Sequence, residues 1–471
     1  MVEERFTLQR AQDYISKSIG NVNDQFKPEK HLTAPVGWIN DPNGFVYFRG
    51  EYHLFYQYYP YDSSWGPMHW GHVKSTDLLH WEQLPVALAP DMAYDKDGCF
   101  SGSAIVKDDR LWLMYTGHIV EEDGSIRQVQ NMAVSEDGIS FTKLTSNPVM
   151  TGDSIPEISS ADFRDPKLFE KDGHFYAVVA TKHVDQVGCI VLLGSTDLEN
   201  WSFESIFLKG TTDQGIMWEC PDYFNLKGQD CLIMSPMKFP QSGQDFQNLN
   251  SNIICFGHVD WSTKTFVLEK IDEIDHGHDF YAAQSLEDNQ GRRIMIAWMQ
   301  AWGRKIPTQD LNHNWAGMMT LARELTIVDG QLVQTPFLPG KGRNTVELSQ
   351  GDLWEEELKS PSRLDLISEE HASWTLTIGG PYDYIRLSLE NNQLTLDRSG
   401  LENQLGGEET SPLLKRSVQL PNGVNELTLF IDKSAFEVFA NKGKISMTST
   451  FYAKVNTAKL TVQTGISRLQ Y

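Results

Sequence analysis

Apolar and polar residues alternate in short runs over the first two thirds of the chain, a period-of-two pattern that predicts β-strands and leaves little room for helix. Five hairpin-like tracts stand out: Phe45 to Gln57, Ser103 to Gly117, Pro166 to Thr181, Pro221 to Ser235 and Ala283 to Trp298. Each folds back at a polar turn, such as Arg49-Gly50, Lys171-Asp172-Gly173 or Lys227-Gly228, and successive tracts lie roughly sixty residues apart. A second series has the same period. Ser75-Thr76-Asp77, Ser135-Glu136-Asp137 and Ser195-Thr196-Asp197 are each followed six positions after the serine by an aromatic residue, Trp81, Phe141 and Trp201. The next copy, near Gly257-His258-Val259-Asp260, keeps little of it.

A repeat of that length with four short strands suits one blade of a β-propeller, and five repeats predict five blades. The expected propeller runs over residues 30–335, and Pro336-Phe337-Leu338-Pro339-Gly340 opens a connector over 336–347. From residue 348 to 471 alternating strands continue without the repeat, for example Ser373 to Ile378 and Glu426 to Ile431, which predicts a β-sandwich. Residues 1–29 form an N-terminal extension in which Leu8, Ala11, Tyr14 and Ile15 predict a short surface helix. The fold class is therefore all-β, a five-bladed β-propeller followed by a C-terminal β-sandwich.

Charge narrows the function. With 63 acidic against 40 basic residues the formal net charge is −23, which repels nucleic acid and anionic membranes over most of the surface. The five cysteines are scattered, with no CxxC pair, so neither a zinc site nor a disulfide framework is expected. No apolar leader opens the chain and no long apolar span follows, so a cytoplasmic protein without membrane or nucleic-acid partners is expected.

Aligning the repeats by their turns puts three acids in register. Asp41 lies nine residues before Gly50, Asp165 eight before Gly173 and Glu219 nine before Gly228. Inner strands of a propeller converge on its axis, so these carboxylates should meet at one mouth of the channel. A proline follows each, in Asp41-Pro42, Asp165-Pro166 and Glu219-Cys220-Pro221, and should hold the preceding backbone extended and aim the side chain. Gathered carboxylates raise one another's pKa, which is useful where one must keep a proton while another attacks. Trp38, Trp65, Phe100, Trp218, Tyr281, Trp298 and Trp302 are expected near that mouth as platforms for a sugar ring, with Asn40, Gln57, Ser101 and Arg164 hydrogen-bonding its hydroxyls. Trp70, Trp81, Trp112 and Trp201 read as filling between blades.

The stretches Trp38-Ile39-Asn40-Asp41-Pro42-Asn43-Gly44, Phe163-Arg164-Asp165-Pro166 and Trp218-Glu219-Cys220-Pro221-Asp222 resemble the diagnostic motifs of glycoside hydrolase family 32, the invertases, sucrose-6-phosphate hydrolases and fructanases. The resemblance implies a retaining β-fructofuranosidase that needs no metal or cofactor, acting on sucrose, sucrose 6-phosphate or short fructo-oligosaccharides. It implies Asp41 as nucleophile, Glu219 as acid/base and Asp165 as transition-state stabiliser, with Asn40, Gln57, Trp65, Phe100, Ser101, Arg164, Asp279, Tyr281 and Trp298 binding substrate. Asp41 should then be ionised, its pKa held down by donors such as Asn40. An inverting arabinan-type hydrolase and a non-catalytic sugar-binding propeller are the rival readings.

Overall fold

The structure, a computed structural model, describes residues 6–369, 371–403, 413–420, 423–465 and 467–471. Residues 1–5 of the N-terminal extension lie outside it. The extension contains one helix, Leu8–Ser18, capped by the Thr7 hydroxyl accepting from the Arg10 N–H; its Ala11 and Ile15 are buried.

Five antiparallel sheets follow, each starting with the strand nearest the axis. These inner strands are Gly37–Phe48, Gly98–Lys107, Arg164–Lys171, Met217–Leu226 and Tyr281–Glu287, in blades 1 to 5. Each pairs with the strand after it through a tight turn, and the sheet grows outward. Neighbouring blades pack through their sheet faces. Phe55, Trp70 and Tyr115 fill the space around blades 1 and 2. Trp112, Phe175 and Trp201 serve blades 2 and 3, Trp218 and Phe266 blades 3 and 4, and Phe224 and Met295 blades 4 and 5. Each such side chain contributes roughly 1.5–3 kcal/mol by leaving water.

The ring closes between blades 5 and 1. A segment inserted in blade 5 sends Trp315–Ala316 back to pair, in parallel, with Gly37 and Trp38. Gly317 makes this approach possible: its φ is +91°, in the left-handed region, and a Cβ there would stand 2.1 Å from the Ile39 carbonyl oxygen. Below the mouth the inner strands are tied directly to one another. Lys167 of blade 3 bonds Asp222 of blade 4 at 3.0 Å and also reaches the Ser285 carbonyl of blade 5. Gln284 of blade 5 donates to the Gly102 carbonyl of blade 2 at 2.9 Å and accepts from the Phe45 N–H of blade 1 at 2.8 Å.

The repeated Ser-x-Asp tripeptides are turns at the outer side of blades 1 to 3. In each, the serine hydroxyl accepts from the N–H three residues on, and one aspartate oxygen accepts from two successive N–H groups. In blade 4 the corresponding turn is built instead on Asp260, which accepts from the N–H and hydroxyl of Ser262, so the tripeptide is not needed there.

After Gln331–Pro336, the last strand of blade 5, the chain enters two facing six-stranded sheets among the described residues. Their first strand, Thr345–Leu348, begins within the stretch read above as connector. Leu364, Trp374, Leu387, Leu429, Val438 and Leu460 form the core between the sheets. The contact between sandwich and propeller is charged and buried. Arg323 bonds Asp275 at 3.0 Å and Glu437 at 2.6 Å, and His31 bonds Asp432 at 3.0 Å and Glu437 at 2.9 Å.

Candidate active site

All five inner strands slip register at the same place near their start, between Ile39 and Pro42, Phe100 and Gly102, Arg164 and Lys167, Glu219 and Asp222, and Tyr281 and Gln284. A bulge bends a strand and re-aims its side chains. Prolines 166 and 221 fall inside two of these bulges, where the ladder is already broken and the missing N–H costs nothing, and Pro42 is the first paired residue after a third. The local conformation differs from the sequence expectation. Asp165 and Cys220, each preceding a proline, have φ of 61° and 49°, so they are left-handed rather than extended. Bulge geometry overrides the pre-proline preference, and the backbone is held there by the Asp165 N–H donating to the Thr116 hydroxyl and the Cys220 N–H donating to Asp165, each at 3.0 Å.

The bulges surround a cavity of about 280 Å³, lined by Asn40, Asp41, Gln57, Trp65, Phe100, Ser101, Arg164, Asp165, Glu219, Met237 and Trp302. The three acids found in register thus share one cavity. Asp41 accepts from Ser101 at 2.7 Å and from the Asn40 amide at 3.0 Å, and Trp38 fixes that amide by donating to its oxygen at 2.7 Å. Glu219 is held at both oxygens, by Arg164 at 2.9 Å and by the Tyr281 hydroxyl at 2.6 Å. The Cys220 thiol lies 3.6 Å from Asp41 and 3.7 Å from Asp165, so the blade-4 bulge sits between the other two acids.

Electrostatics follow from burying three carboxylates with one guanidinium. Asp165 is pushed up to about 7, chiefly by burial, with Arg164 opposing the rise and Glu219 and Asp41 adding to it. Asp41 is also raised, contrary to the expectation from its donors: burial outweighs the hydrogen bonds from Asn40 and Ser101. Burial works against the charge on Arg164, but Glu219 and Asp165 outweigh it and raise the guanidinium above its ordinary value.

Other expected residues fall into two groups. Trp65 is 47% exposed at the lip of the cavity and meets the edge of Phe100, whose other face stacks on His118 at 4.2 Å. Gln57 lines the wall and donates to the Cys99 carbonyl at 2.9 Å. Tyr281 reaches the site only through Glu219. Trp38 and Trp298 are buried behind the lining, in contact with Trp302. Trp218 is packed between blades, over Gly188 and Gly210. Asp279 does not line the cavity. It is buried against the sandwich, bonded to Arg304 at 2.8 Å, to Arg398 at 2.7 Å and to Thr450. The histidine-rich tract is likewise internal, with His53 bonded to His72 at 3.0 Å and His69 to the Pro67 carbonyl at 3.0 Å. Met237 and Thr116 were missed by the sequence reading. Pairing across the hairpins could have found both, since Met237 lies opposite Met217, two residues from the Glu219–Ser235 pair, and Thr116 lies opposite Phe100.

Comparison with known proteins places this geometry. The N-terminal domain of glycosyl hydrolases family 32 matches residues 31–336, and the C-terminal domain of the same family matches residues 368–470. A sucrose-6-phosphate hydrolase of Zymomonas mobilis is 36% identical over 93% of this chain and 89% of its own length. A raffinose invertase of Escherichia coli is 36% identical over 98% of this chain and 96% of its own. The structure of a Bombyx mori β-fructofuranosidase superposes with a TM-score of 0.87 at 32% identity, covering 98% of this chain and 97% of that one. A substituted form of that enzyme has been determined in complex with sucrose. The chain belongs to glycosyl hydrolase family 32.

Proposed function

We propose that this β-fructofuranosidase hydrolyses sucrose 6-phosphate and sucrose in the cytoplasm, with Asp41 as nucleophile, Glu219 as acid/base and Asp165 as the group that steadies the fructosyl ring. The observation that carries this reading is the meeting of the three acids in one cavity with their neighbours already differentiated: Asp41 faces only neutral donors, whereas Glu219 is gripped by Arg164 and Tyr281. Glu219 gives its proton to the glycosidic oxygen as the bond to the fructosyl anomeric carbon breaks, and an Asp41 oxygen closes on that carbon to form an ester. Water then attacks the same carbon, Glu219 takes the proton from that water, and the ester bond returns its electrons to Asp41. Positive charge builds on the ring in both steps, and an ionised Asp165 bonded to ring hydroxyls opposes it. Asn40, Gln57, Ser101, Phe100 and Trp65 would hold the sugar. At about 280 Å³ the cavity is at the small end of ligand clefts, which suits one sugar ring with the leaving group at the mouth.

The substrate assignment is supported by the activities named for relatives along nearly the whole chain. The cytoplasmic assignment is supported by five free thiols, four of them buried. No helix among the described residues is long and apolar enough to cross a membrane. The test is kcat/KM on sucrose, sucrose 6-phosphate and 1-kestose, with the first-formed fructose observed by NMR before it mutarotates. Turnover with β-fructofuranose appearing first supports the double displacement. The α-anomer appearing first would move the enzyme to the inverting reading, and binding without turnover to the sugar-binding one.

A further inference from the structure

A substrate carrying a phosphate must bring about −1.5 to −2 charges to a protein whose own net charge is −23, and into a cavity floored by three carboxylates. The fructosyl ring has to lie against those acids, so the rest of the substrate points outward and its phosphate meets the rim. The two halves of that rim differ. The half formed by blades 1 and 2 presents Trp65 and Phe100. On the side formed by blades 3, 4 and 5, Lys182 ends the second strand of blade 3, Lys238 follows the end of the second strand of blade 4, and Lys305 lies in the segment that leaves the second strand of blade 5; none of the three ammonium groups is bonded to an acid among the described residues.

Lys238 is the one whose backbone is continuous with the cavity wall, since Met237 lines it. Its position is fixed on both sides. The Lys238 N–H donates to the Leu249 carbonyl at 2.9 Å, and the Met237 carbonyl accepts from Ile216 at 3.1 Å. Lys238 also has φ of 55°, the left-handed region that a lysine seldom adopts and that is maintained only where surrounding structure demands it. The same rim segment is joined to the wall residue Trp302, whose carbonyl accepts from Asn250 at 3.3 Å. An exposed, unpaired cation is thus presented from a held backbone one residue from the cavity wall.

We propose that Lys238 is the specificity-determining residue that recognises the phosphate of a phosphorylated leaving sugar, with Lys182 and Lys305 extending the positive arc. This rests on the fructofuranosidase reading above. The test is the ratio of kcat/KM on sucrose 6-phosphate to kcat/KM on sucrose, measured for wild type, Lys238→Ala and Lys238→Arg at low and high ionic strength. Alanine keeps a Cβ on the same backbone, so the left-handed strain is unchanged. The ratio is expected to fall about tenfold or more in Lys238→Ala, through KM for the phosphorylated sugar, because a hydrogen bond to a charged group is lost. Lys238→Arg should keep it, and added salt should lower it in wild type while leaving Lys238→Ala nearly flat. A ratio that is the same in wild type and Lys238→Ala overturns the proposal. Failure of the wild type to cleave either sugar is a different result, and it would remove the fructofuranosidase reading itself.

Discussion

Asp41 and Asp165 show how a site can be arranged for chemistry at the expense of stability. A carboxyl whose pKa is raised in the folded state binds its proton more tightly there than in the unfolded chain. Its contribution to stability is therefore greatest below its ordinary value of 3.8 and is lost as pH rises through the folded value, about 7 for Asp165. Replacing Asp165 with Asn should raise Tm, more at pH 8 than at pH 4, with the difference bounded at about 4 kcal/mol by the size of the shift. Melting curves at the two pH values check this, and a Tm that falls at pH 8 would contradict it. Activity should move the other way. Glu219→Gln and Asp41→Asn should each lower kcat by about a thousandfold while the fold is retained, because in the proposed mechanism the first removes the proton donor and the second the attacking oxygen. Steady-state rates together with circular dichroism separate lost chemistry from lost structure, and an Asp41→Asn enzyme of near-normal rate would end its assignment as nucleophile.

At the scale of strands and turns, the sixty-residue repeat serves two ends of the blade. At the axis, five bulges in matched positions turn Asn40-Asp41, Ser101, Asp165, Glu219-Cys220 and Ala282 toward the channel, so chemistry is varied by changing the residues within a common backbone feature. At the outer side, the serine-x-aspartate turns join the third strand to the edge. Asp137 accepts from the Ile139 and Ser140 N–H groups, each at 2.8 Å, and these bonds pull its carboxyl down to about 2. Asp137→Ala leaves two turn N–H groups to water alone and should destabilise blade 2 by about 1 kcal/mol without changing kcat, since the turn is far along the sheet from the bulge. Chemical denaturation and steady-state kinetics on the same preparation test both halves of that statement.

For the molecule as a whole, the junction of propeller and sandwich is a buried ionic network rather than an oily seam. Burial alone would lower the pKa of His31, but its bonds to Asp432 and Glu437 outweigh this and lift it to about 9. The same contacts hold Asp432 well below the usual carboxylate range, although burial opposes them. The stability from a raised histidine is complete below its ordinary value of 6.5 and is lost as pH climbs toward 9. Tm of the wild type should therefore decline between about pH 6.5 and 9, by an amount equivalent to roughly 3 kcal/mol at most. His31→Gln should be less stable at pH 6 by about 3 kcal/mol or more, since it leaves buried carboxylates without their cation, and its Tm should fall less than that of the wild type over that interval. Calorimetry across the pH range decides it, and a His31→Gln protein with the wild-type pH dependence would show that another group is responsible.

Periodicity is a local property, and the chain states it openly. The alternation of apolar residues, the turn residues and the spacing of the Ser-x-Asp series determined blades, their number and the register that puts three acids at equivalent places. Composition and the three acidic motifs pointed to the sugar chemistry. Contacts between distant segments were settled only when the ring closed. The parallel pairing of Trp315–Ala316 with Gly37 and Trp38, the left-handed backbone at Asp165 and Cys220, and the burial that raises Asp41 despite its donors all depend on what packs against those residues. Asp279 lies only two residues from Tyr281, yet the sandwich draws its carboxylate into an arginine pair while Tyr281 reaches Glu219. Sequence spacing carries direction along one strand, whereas the dielectric and the partners around a side chain are set by the other strands that surround it.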